Sequence, residues 1–336
     1  MQRKGKRIDV LCAGILVADL FVPPLPRLPE EGELLKVDGM LLDTGGCAAN
    51  VATDLARLGV RAAVAGTVGA DSFGDFVKAD LQRKGLADTS GIRVTRAHPT
   101  SQSVILPVRG QDRRFIHSQG ANADFSLADL DRGMLSRARV LYIGGYFILP
   151  GVDPGSLARL LRSAREQGVR TVLDVAGVDP VGGMEKLAPA LPFADVFLPN
   201  EDEAALLTGL SDPVRQAQAL RRAGAGTVVV TRGGAGCIVA APGRSLAAGA
   251  YPVDVVDPSG SGDAFDAGFI VGMLEGWELE RTVAFASAVG ASCCTRLGCT
   301  VGVFDRAQAE AWTASHHLAI EEIEEVEETT EERTTP

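Results

Sequence analysis

The sequence has little positive charge, few histidines and no long apolar run, and each shortage excludes a class of protein. The 336 residues carry a formal net charge of −10 without a basic patch, which argues against a nucleic-acid partner. No apolar stretch reaches the length of a membrane span. The start of the chain is basic and then apolar, but no small-residue cleavage site follows, so we do not interpret it as a signal peptide.

The six cysteines and four histidines form no recognisable metal or catalytic pattern. The cysteines lie inside apolar runs without paired ligand spacing, which predicts reduced core thiols in a cytoplasmic protein. The histidines lie outside every motif described below, which argues against a histidine nucleophile or a catalytic triad. No Gly-x-x-x-x-Gly-Lys-Ser/Thr segment is present, so the chain is not a P-loop enzyme.

Short apolar runs alternate with longer amphipathic segments along the chain. The apolar runs include VLCAGILVA, AAVAGTVG and TVVVTRGG, and the amphipathic segments include CAANVATDLARLG and PGSLARLLRSAREQG. This alternation predicts an α/β fold with a mainly parallel central sheet that helices cover on both faces. Two regions of polar–apolar alternation, roughly 19–43 and 95–118, predict a small β-sheet lid over the ligand-binding edge of the main sheet.

The domain organisation that we predict is one domain at residues 1–318, which includes the lid, and an acidic tail at residues 319–336. The last sixteen residues hold eight glutamates and one arginine, so they carry −7 of the total charge of −10. Such a composition is typical of a solvated, disordered tail, and an interaction tail is the alternative.

The segment DPSGSGDAFDAGF, residues 257–269, is a glycine turn that leads into an apolar helix. Gly260, Ser261 and Gly262 can present consecutive backbone N–H groups beside the helix N-terminus, which makes an anion pocket. Asp263 follows directly, and the helix dipole favours its ionised form at neutral pH. A carboxylate beside a phosphate pocket can accept the proton of an attacking hydroxyl; the alternative is that Asp263 only caps the helix.

Together with GGCAANVATDLARLG at residues 45–59, this turn resembles the ribokinase-like (PfkB) family of carbohydrate kinases. The family signature Asp-Thr-x-Gly-Ala-Gly-Asp is matched at 257–263, with departures at Pro258 and Ser261, and the resemblance covers roughly residues 9–304. It implies a ribokinase-like three-layer sandwich that uses ATP and Mg²⁺ to phosphorylate a hydroxyl of a sugar or sugar-like molecule. It also implies that Asp263 is the catalytic base and that residues 260–262 form the anion hole.

The candidate substrate residues are Asp19, Gly45, Gly46 and Asn50. The glycine pair precedes a helix and allows a ligand to approach the backbone closely, while the amide of Asn50 can donate to and accept from a diol. Asp19 ends the first strand run, at the edge where α/β proteins bind ligands. By resemblance, Asp19, Gly46 and Asn50 contact sugar hydroxyls. The alternatives are a loop cap at Asp19 and a helix-start hydrogen bond at Asn50.

Departures from the family pattern narrow the range of substrates that the resemblance supports. In ribokinase-type members a lysine often stands at the position of Cys47, and an acid contacts the sugar near Tyr146. Neither is present in this chain. The Asp-x-Asn-x-Arg pattern of some sugar-acid kinases is absent after Asp174. These departures do not support ribose or 2-keto-3-deoxygluconate as the substrate.

The nucleotide and magnesium residues also follow from the resemblance. Thr231, Gly233 and Gly236 match the family's turn under the ATP phosphates, with an ordinary hairpin as the alternative. Asn200 and Glu203 match its Asn-x-x-Glu motif, whose oxygen atoms suit Mg²⁺. An acidic helix start favoured by the dipole explains the same residues equally well.

The resemblance further implies a monovalent cation, typically K⁺, at the loops that contain Asp257, Ser259 and Gly298. It also implies a homodimer joined through the lid. Two rival functions stay open, namely a nucleoside (adenosine-like) kinase of the same fold and a non-catalytic sugar or nucleotide sensor. The intact Gly-x-Gly-Asp run argues against the sensor, because a sensor need not retain the acid.

Overall fold

The computed structural model describes residues 8–111 and 113–324. The strands in these residues are β1 (Val10–Gly14), β2 (Val17–Phe21), β3 (Leu41–Gly45), β4 (Ala62–Gly69), β5 (Asp88–Thr95), β6 (Gln102–Leu106), β7 (Arg114–Ser118), β8 (Val140–Gly144), β9 (Arg170–Leu173), β10 (Val196–Phe197), β11 (Thr227–Thr231), β12 (Cys237–Ala241), β13 (Arg244–Ala248) and β14 (Ile320–Ile323). The α-helices are α1 (Cys47–Arg57), α2 (Ser72–Arg83), α3 (Arg132–Leu135), α4 (Pro154–Glu166), α5 (Gly183–Leu187), α6 (Glu201–Thr208), α7 (Pro213–Arg222), α8 (Ser261–Glu275), α9 (Leu279–Cys293) and α10 (Arg306–Ser315).

The main sheet has the strand order β14-β13-β12-β11-β10-β9-β8-β1-β4-β5. All neighbours from β11 to β5 run parallel. Strands β12, β13 and β14 extend the sheet in antiparallel pairs. The predicted α/β fold with a mainly parallel central sheet is therefore confirmed.

Helices cover both faces of the main sheet, as its continuous apolar strands require. Val10 and Cys12 of β1 belong to the hydrophobic core that includes residues of α1, α8 and α9. Leu11 and Ala13 belong to the core that includes residues of α4, α6 and α7. Since successive residues of a strand point to opposite faces, one apolar run serves both cores and produces the three layers.

The lid is a separate sheet with the strand order β3-β2-β6-β7. Strand β2 runs antiparallel to β3 and parallel to β6, and β6 forms a hairpin with β7. The predicted lid is confirmed. The connection between β6 and β7 includes Asp112, which lies outside the described residues.

The first apolar run, VLCAGILVA, is divided between two strands, so its interpretation as a single strand that ends at Asp19 is wrong. Strand β1 ends at Gly14, and β2 begins at Val17 in the lid. Gly14 has φ 149, and a Cβ there would lie 2.2 Å from the carbonyl oxygen of Gly144. Only glycine allows the chain to leave the main sheet at this point. Asp19 therefore lies on the lid rather than at the end of a main-sheet strand.

The predicted tail begins too early at residue 319. Ile320–Ile323 forms β14, which pairs with β13 at the edge of the main sheet. Ile320 packs partly buried against one core and Ile323 against the other. The prediction missed these two apolar contacts because it was based on the charge of the neighbouring glutamates. Residues 325–336, the remainder of the predicted tail, lie outside the described residues.

Two further expectations concern thiols and membranes. All six cysteines are free, four of them buried and two, Cys47 and Cys294, partly exposed. Within residues 8–111 and 113–324, no helix combines the length and the apolar character that crossing a bilayer requires.

Candidate active site

Two segments that are far apart in the sequence meet at the carboxylate of Asp263. Nδ2 of Asn50 on α1 donates a 2.8 Å hydrogen bond to Oδ2 of Asp263 in the first turn of α8. Oδ1 of Asn50 is buried and has no hydrogen-bond partner. Burial raises the pKa of Asp263 above its ordinary value, while hydrogen bonds from Asn50 and Cys47 lower it. The expectation of a freely ionised carboxylate neglected this burial.

The glycine turn before Asp263 is open on one side and tightly packed on the other. Gly260 precedes α8 with φ 79, and a Cβ there would lie 2.3 Å from the carbonyl oxygen of Cys299. At Gly262 a Cβ would meet nothing within 4 Å. The amide of Ser261 donates a long hydrogen bond of 3.3 Å to the carbonyl of Pro258, so the turn itself uses part of that donor.

The three residues predicted to hold a monovalent cation converge behind this turn. Oδ1 of Asp257 accepts a hydrogen bond from the amide of Ser259, and Oδ2 accepts one from the amide of Gly298, each at 3.0 Å. The carboxylate therefore ties two loops together. The hydroxyl of Ser259 is buried without a hydrogen-bond partner, which leaves one oxygen available to a cation.

The substrate candidates Asp19 and Gly45 pack against each other on the lid. A Cβ at Gly45 would lie 1.7 Å from Oδ2 of Asp19, so the glycine makes room for the carboxylate. Asp43 lies directly opposite Asp19 in the antiparallel pair of β2 and β3. Burial raises the pKa of Asp19 to about 7, and the carboxylates of Asp43 and Asp263 add to the increase. A hydrogen bond with Ser103 opposes the increase, and Lys84 opposes it to a smaller extent.

Gly46, the other predicted glycine, begins α1. It has φ 92, and a Cβ there would lie 2.5 Å from the carbonyl oxygen of Ile15. The helix that starts at this turn carries Cys47 and Asn50 one turn apart on the same face. The glycine pair therefore brings the first turn of α1 to the active site.

Lys84, just after α2, connects the lid to the main domain. Its Nζ lies 2.5 Å from Oδ1 of Asp43 on β3 and 2.9 Å from Oδ2 of Asp80 on α2. The ammonium group therefore compensates the carboxylate that faces Asp19. No sequence signal marks Lys84, because a lysine at the end of an amphipathic helix is ordinary.

An unpredicted cluster contains Cys47, Asp174 and Asp263, whose ligand atoms all lie within 4.8 Å of one another. Asp174 follows β9, is 9% exposed and accepts a 3.2 Å hydrogen bond from the amide of Gly145. Burial raises its pKa well above the ordinary value, and the carboxylates of Glu203 and Asp263 add to this effect. An acid directly after a buried parallel strand was the available sequence signal.

Asn200 and Glu203 form a reciprocal cap at the start of α6. Oδ1 of Asn200 accepts from the amide of Glu203, and Oε2 of Glu203 accepts from the amide of Asn200, each at 2.9 Å. Both residues therefore stabilise the start of the helix, as the alternative interpretation predicts. Burial raises the pKa of Glu203 to about 7, and the carboxylates of Asp263 and Asp202 also raise it. A cation would relieve this repulsion, so the residues also fit Mg²⁺.

A cavity of about 400 Å³ opens beside the glycine turn. Its lining includes the predicted nucleotide residues and part of the glycine turn, namely Thr231, Gly233, Gly236, Ser261 and Gly262. Its apolar lining includes Tyr251, Pro252, Val253, Val255 and Phe265. Gly233–Ala235 also connects the antiparallel strands β11 and β12. The same segment therefore forms the hairpin turn of the alternative interpretation and part of the cavity wall.

The model of the pfkB family of carbohydrate kinases matches residues 7–305 of this chain. The chain is 27% identical to a ribokinase of Haemophilus influenzae over 300 residues, which cover 87% of this chain and 94% of that protein. It is 31% identical to an ATP-dependent ribose-1-phosphate kinase of Halopiger xanaduensis over 292 residues, which cover 87% of this chain and 93% of that protein.

Solved structures show the same architecture. The ribokinase of Arabidopsis thaliana, complexed with ribose and ATP, superposes with a TM-score of 0.77 at 25% identity. The superposition covers 91% of this chain and 99% of that one, so the lid and the main sheet are shared. On the match to residues 7–305, the chain belongs to the pfkB family of carbohydrate kinases.

Proposed function

We propose that the chain transfers the γ-phosphoryl group of ATP to a hydroxyl of a sugar or sugar-like molecule, with Asp263 as the base. The observation that carries this proposal is the 2.8 Å hydrogen bond from Asn50 to Asp263. It joins a candidate substrate residue to the candidate base, next to a turn that lines a cavity. The relatives named as ribokinases support an ATP-dependent phosphorylation of a sugar.

In the proposed reaction, the carboxylate of Asp263 accepts the proton of the sugar hydroxyl as its oxygen attacks the γ-phosphorus, and ADP leaves. Asn50 orients the carboxylate through Nδ2 and offers its unpartnered Oδ1 to the sugar. The backbone amides of 260–262 and the positive end of α8 stabilise the charge on the transferred group. Closure of the lid would exclude water, which competes as the acceptor.

The ATP would lie in the 400 Å³ cavity, with its phosphates over Thr231, Gly233 and Gly236 and its base against the apolar lining. Asn200 and Glu203 would hold Mg²⁺, which supplies charge neutralisation for the phosphates. Asp257, Ser259 and Gly298 would hold K⁺ near the glycine turn. The buried hydroxyl of Ser259, which has no partner, supports this assignment.

We also propose that two copies of the chain form a homodimer through their lids. Strand β7 is an edge strand of the lid and is exposed along its whole length. It presents Phe115 and Ile116, which are 56% and 64% exposed. A second copy that covers this edge would bury both side chains.

The substitution Asp263→Asn tests the base. We expect the variant to keep its fold and its ATP binding and to lose turnover by about 100- to 10 000-fold in a sugar-dependent ADP-release assay. Asp254→Asn, at an exposed acid nine positions earlier in the chain, is the control and should retain turnover. Near-wild-type turnover of Asp263→Asn would refute the proposal.

A thermal-shift panel of sugars and nucleosides, measured with a non-hydrolysable ATP analogue, separates the rival functions. Stabilisation by sugars together with ADP production supports the proposal. Preference for nucleosides would indicate the nucleoside kinase, and stabilisation without ADP production would indicate the sensor. Tyr146 is not expected to select the substrate directly, because it is 3% exposed and its hydroxyl donates to the carbonyl of Lys186 at 3.4 Å.

A further inference from the structure

Cys47, Asp174 and Asp263 bring one thiol and two carboxylates to a single point. The sulfur and one oxygen of each carboxylate all lie within 4.8 Å of one another. The three residues come from separate elements, because Cys47 begins α1, Asp174 follows β9 and Asp263 lies in the first turn of α8. Phosphoryl transfer to a sugar uses Asp263 and does not require the thiol.

We propose that these three residues bind a thiophilic divalent cation, of which Zn²⁺ is the common example, and that the bound cation inhibits the kinase. Zinc is bound by cysteine sulfur at about 2.3 Å and by carboxylate oxygen at about 2.1 Å, so two of its ligands lie at most roughly 4.4 Å apart. The three ligand atoms lie within 4.8 Å of one another, so binding of one cation requires side-chain rotations that bring them closer together.

A second observation points to a ligand at this place, and it concerns the oxygen of Asn50 that would face the sugar in the reaction and is available to a cation when no sugar is bound. Oδ1 of Asn50 is buried without a hydrogen-bond partner, although the same amide donates to Asp263 through Nδ2. Asn50 follows Cys47 by three positions on α1, so both side chains lie on the same face of the helix. The amide oxygen or a water molecule would complete a tetrahedral set of four ligands.

The chemistry of the cluster distinguishes it from a magnesium site. Mg²⁺ prefers oxygen ligands and retains several water molecules, whereas a thiolate selects softer cations such as Zn²⁺ and Cd²⁺. Burial raises the pKa of Cys47 well above its ordinary value, and the carboxylates of Asp263 and Asp174 also raise it. The same negative surroundings attract a cation. When the cation binds, the thiol proton leaves to solvent and the thiolate becomes the ligand.

Inhibition follows because the cation would occupy the carboxylate of Asp263. This consequence rests on the proposed role of Asp263 as the base, whereas the binding site itself does not. Because Mg²⁺ does not favour a thiolate, an excess of Mg²⁺-ATP should not restore activity.

The test is a titration of the full-length, chelator-treated protein with Cd²⁺ or Co²⁺, followed by thiolate-to-metal charge-transfer absorption in the ultraviolet. We expect one cation per chain and a band that Cys47→Ala abolishes. Cys294→Ala, which removes the other partly exposed thiol, should retain the band. In parallel, Zn²⁺ should inhibit sugar-dependent ADP release of the wild-type protein at a concentration at least tenfold lower than that needed for Cys47→Ala. Each rate is compared with the same variant's rate without zinc.

A second variant keeps the proposal falsifiable if Cys47→Ala folds poorly. Asp174→Asn retains the thiol and should weaken Cd²⁺ binding at least tenfold. The proposal is overturned if the wild-type protein shows no thiolate band, if the band persists in Cys47→Ala, or if Asp174→Asn binds with unchanged affinity. A protein that gives the band but has no kinase activity would contradict the proposed function and leave this inference intact.

Discussion

Nδ2 of Asn50 lies 2.8 Å from Oδ2 of Asp263, so an amide in the first helix holds a carboxylate that lies 213 positions later in the chain. The hydrogen bond lowers the pKa of Asp263, against the effect of burial. The other end of the same amide is an unpartnered acceptor. One side chain therefore connects the predicted sugar site to the predicted base.

Replacing Asn50 by alanine should weaken catalysis and shift its pH dependence. A hydrogen bond to a charged group contributes about 1.5–3 kcal/mol, so we expect kcat/KM to fall about tenfold to a hundredfold. The loss of the bond should also raise the pKa of Asp263, which moves the acid limb of the kcat/KM profile to higher pH. Rates of sugar-dependent ADP release across pH 5–9 measure both effects. An unmoved acid limb would show that the amide does not act on Asp263.

Lys84→Met should impair the sugar site without affecting the nucleotide site. The ammonium compensates Asp43 and lowers the pKa of Asp19, so its removal should raise that pKa further above about 7. A neutral Asp19 accepts hydrogen bonds from hydroxyls less strongly. We therefore expect a severalfold higher KM for the sugar, an unchanged KM for ATP, and a kcat/KM profile displaced to higher pH.

The matched control for this variant lies on the same helix. Lys78 pairs with Asp75 at 2.9 Å on the exposed side of α2. Such surface pairs contribute at most about 1 kcal/mol, so Lys78→Met should leave all the kinetic constants close to wild type. Lys84→Arg, which keeps the positive charge, should restore much of the sugar KM. Equal effects of the two methionine variants would refute the role of Lys84.

The sequence predicts the fold through the way that its apolar residues are grouped. A parallel sheet that is buried on both faces needs continuous apolar strands, and VLYIG and TVVVT are strands of this kind. The apolar pattern does not predict the break between β1 and β2, because the break depends on how closely Gly14 approaches Gly144 in the folded chain. The pattern also does not predict strand β14, because its two isoleucines lie among glutamates.

The candidate site is predictable where its residues follow glycine turns. Gly46 and Gly260 both have positive φ, and each turn begins a helix that carries a candidate residue, Asn50 or Asp263. The approach of Asp174 to Cys47 is set by tertiary packing, and no local pattern records it. The contact of Lys84 with Asp43 is also set by tertiary packing, because Asp43 lies on the lid, whereas the contact with Asp80 lies within one turn of the same helix.

Asp19→Asn should stabilise the protein at alkaline pH at the expense of activity. The pKa of Asp19 is raised from 3.8 to about 7 in the folded protein, mainly by burial. Between these two values the folded state binds more protons than the unfolded state, so the free energy of unfolding falls as pH rises through this window. Asparagine carries no charge and does not incur this loss. We expect the Tm of the variant, relative to wild type, to be several degrees higher at pH 8 than at pH 5. A Tm difference that stays constant across this pH range would contradict the shifted pKa.

The two glycines of the 260–262 turn should respond to alanine in opposite ways. At Gly260 a Cβ would lie 2.3 Å from the carbonyl oxygen of Cys299, and φ is 79. Gly260→Ala should therefore destabilise the fold by about 1–3 kcal/mol from backbone strain alone, with the clash in addition. At Gly262 the space is open, and the residue lies in the first turn of α8. Gly262→Ala should fold normally and gain up to about 1 kcal/mol from helix propensity.

Activity separates the two roles of this turn. The open space beside Gly262 is where the proposed anion hole receives the transferred phosphoryl group. Alanine keeps the backbone N–H, but its methyl group should displace the phosphoryl group from the donors. We expect kcat to fall about 100-fold, the loss that a misplacement of about 1 Å can cause. Thermal unfolding and ADP release, measured on the same preparations, give both quantities. If Gly262→Ala keeps its full activity, the phosphoryl group does not pass beside Gly262, and this part of the proposed anion hole is refuted.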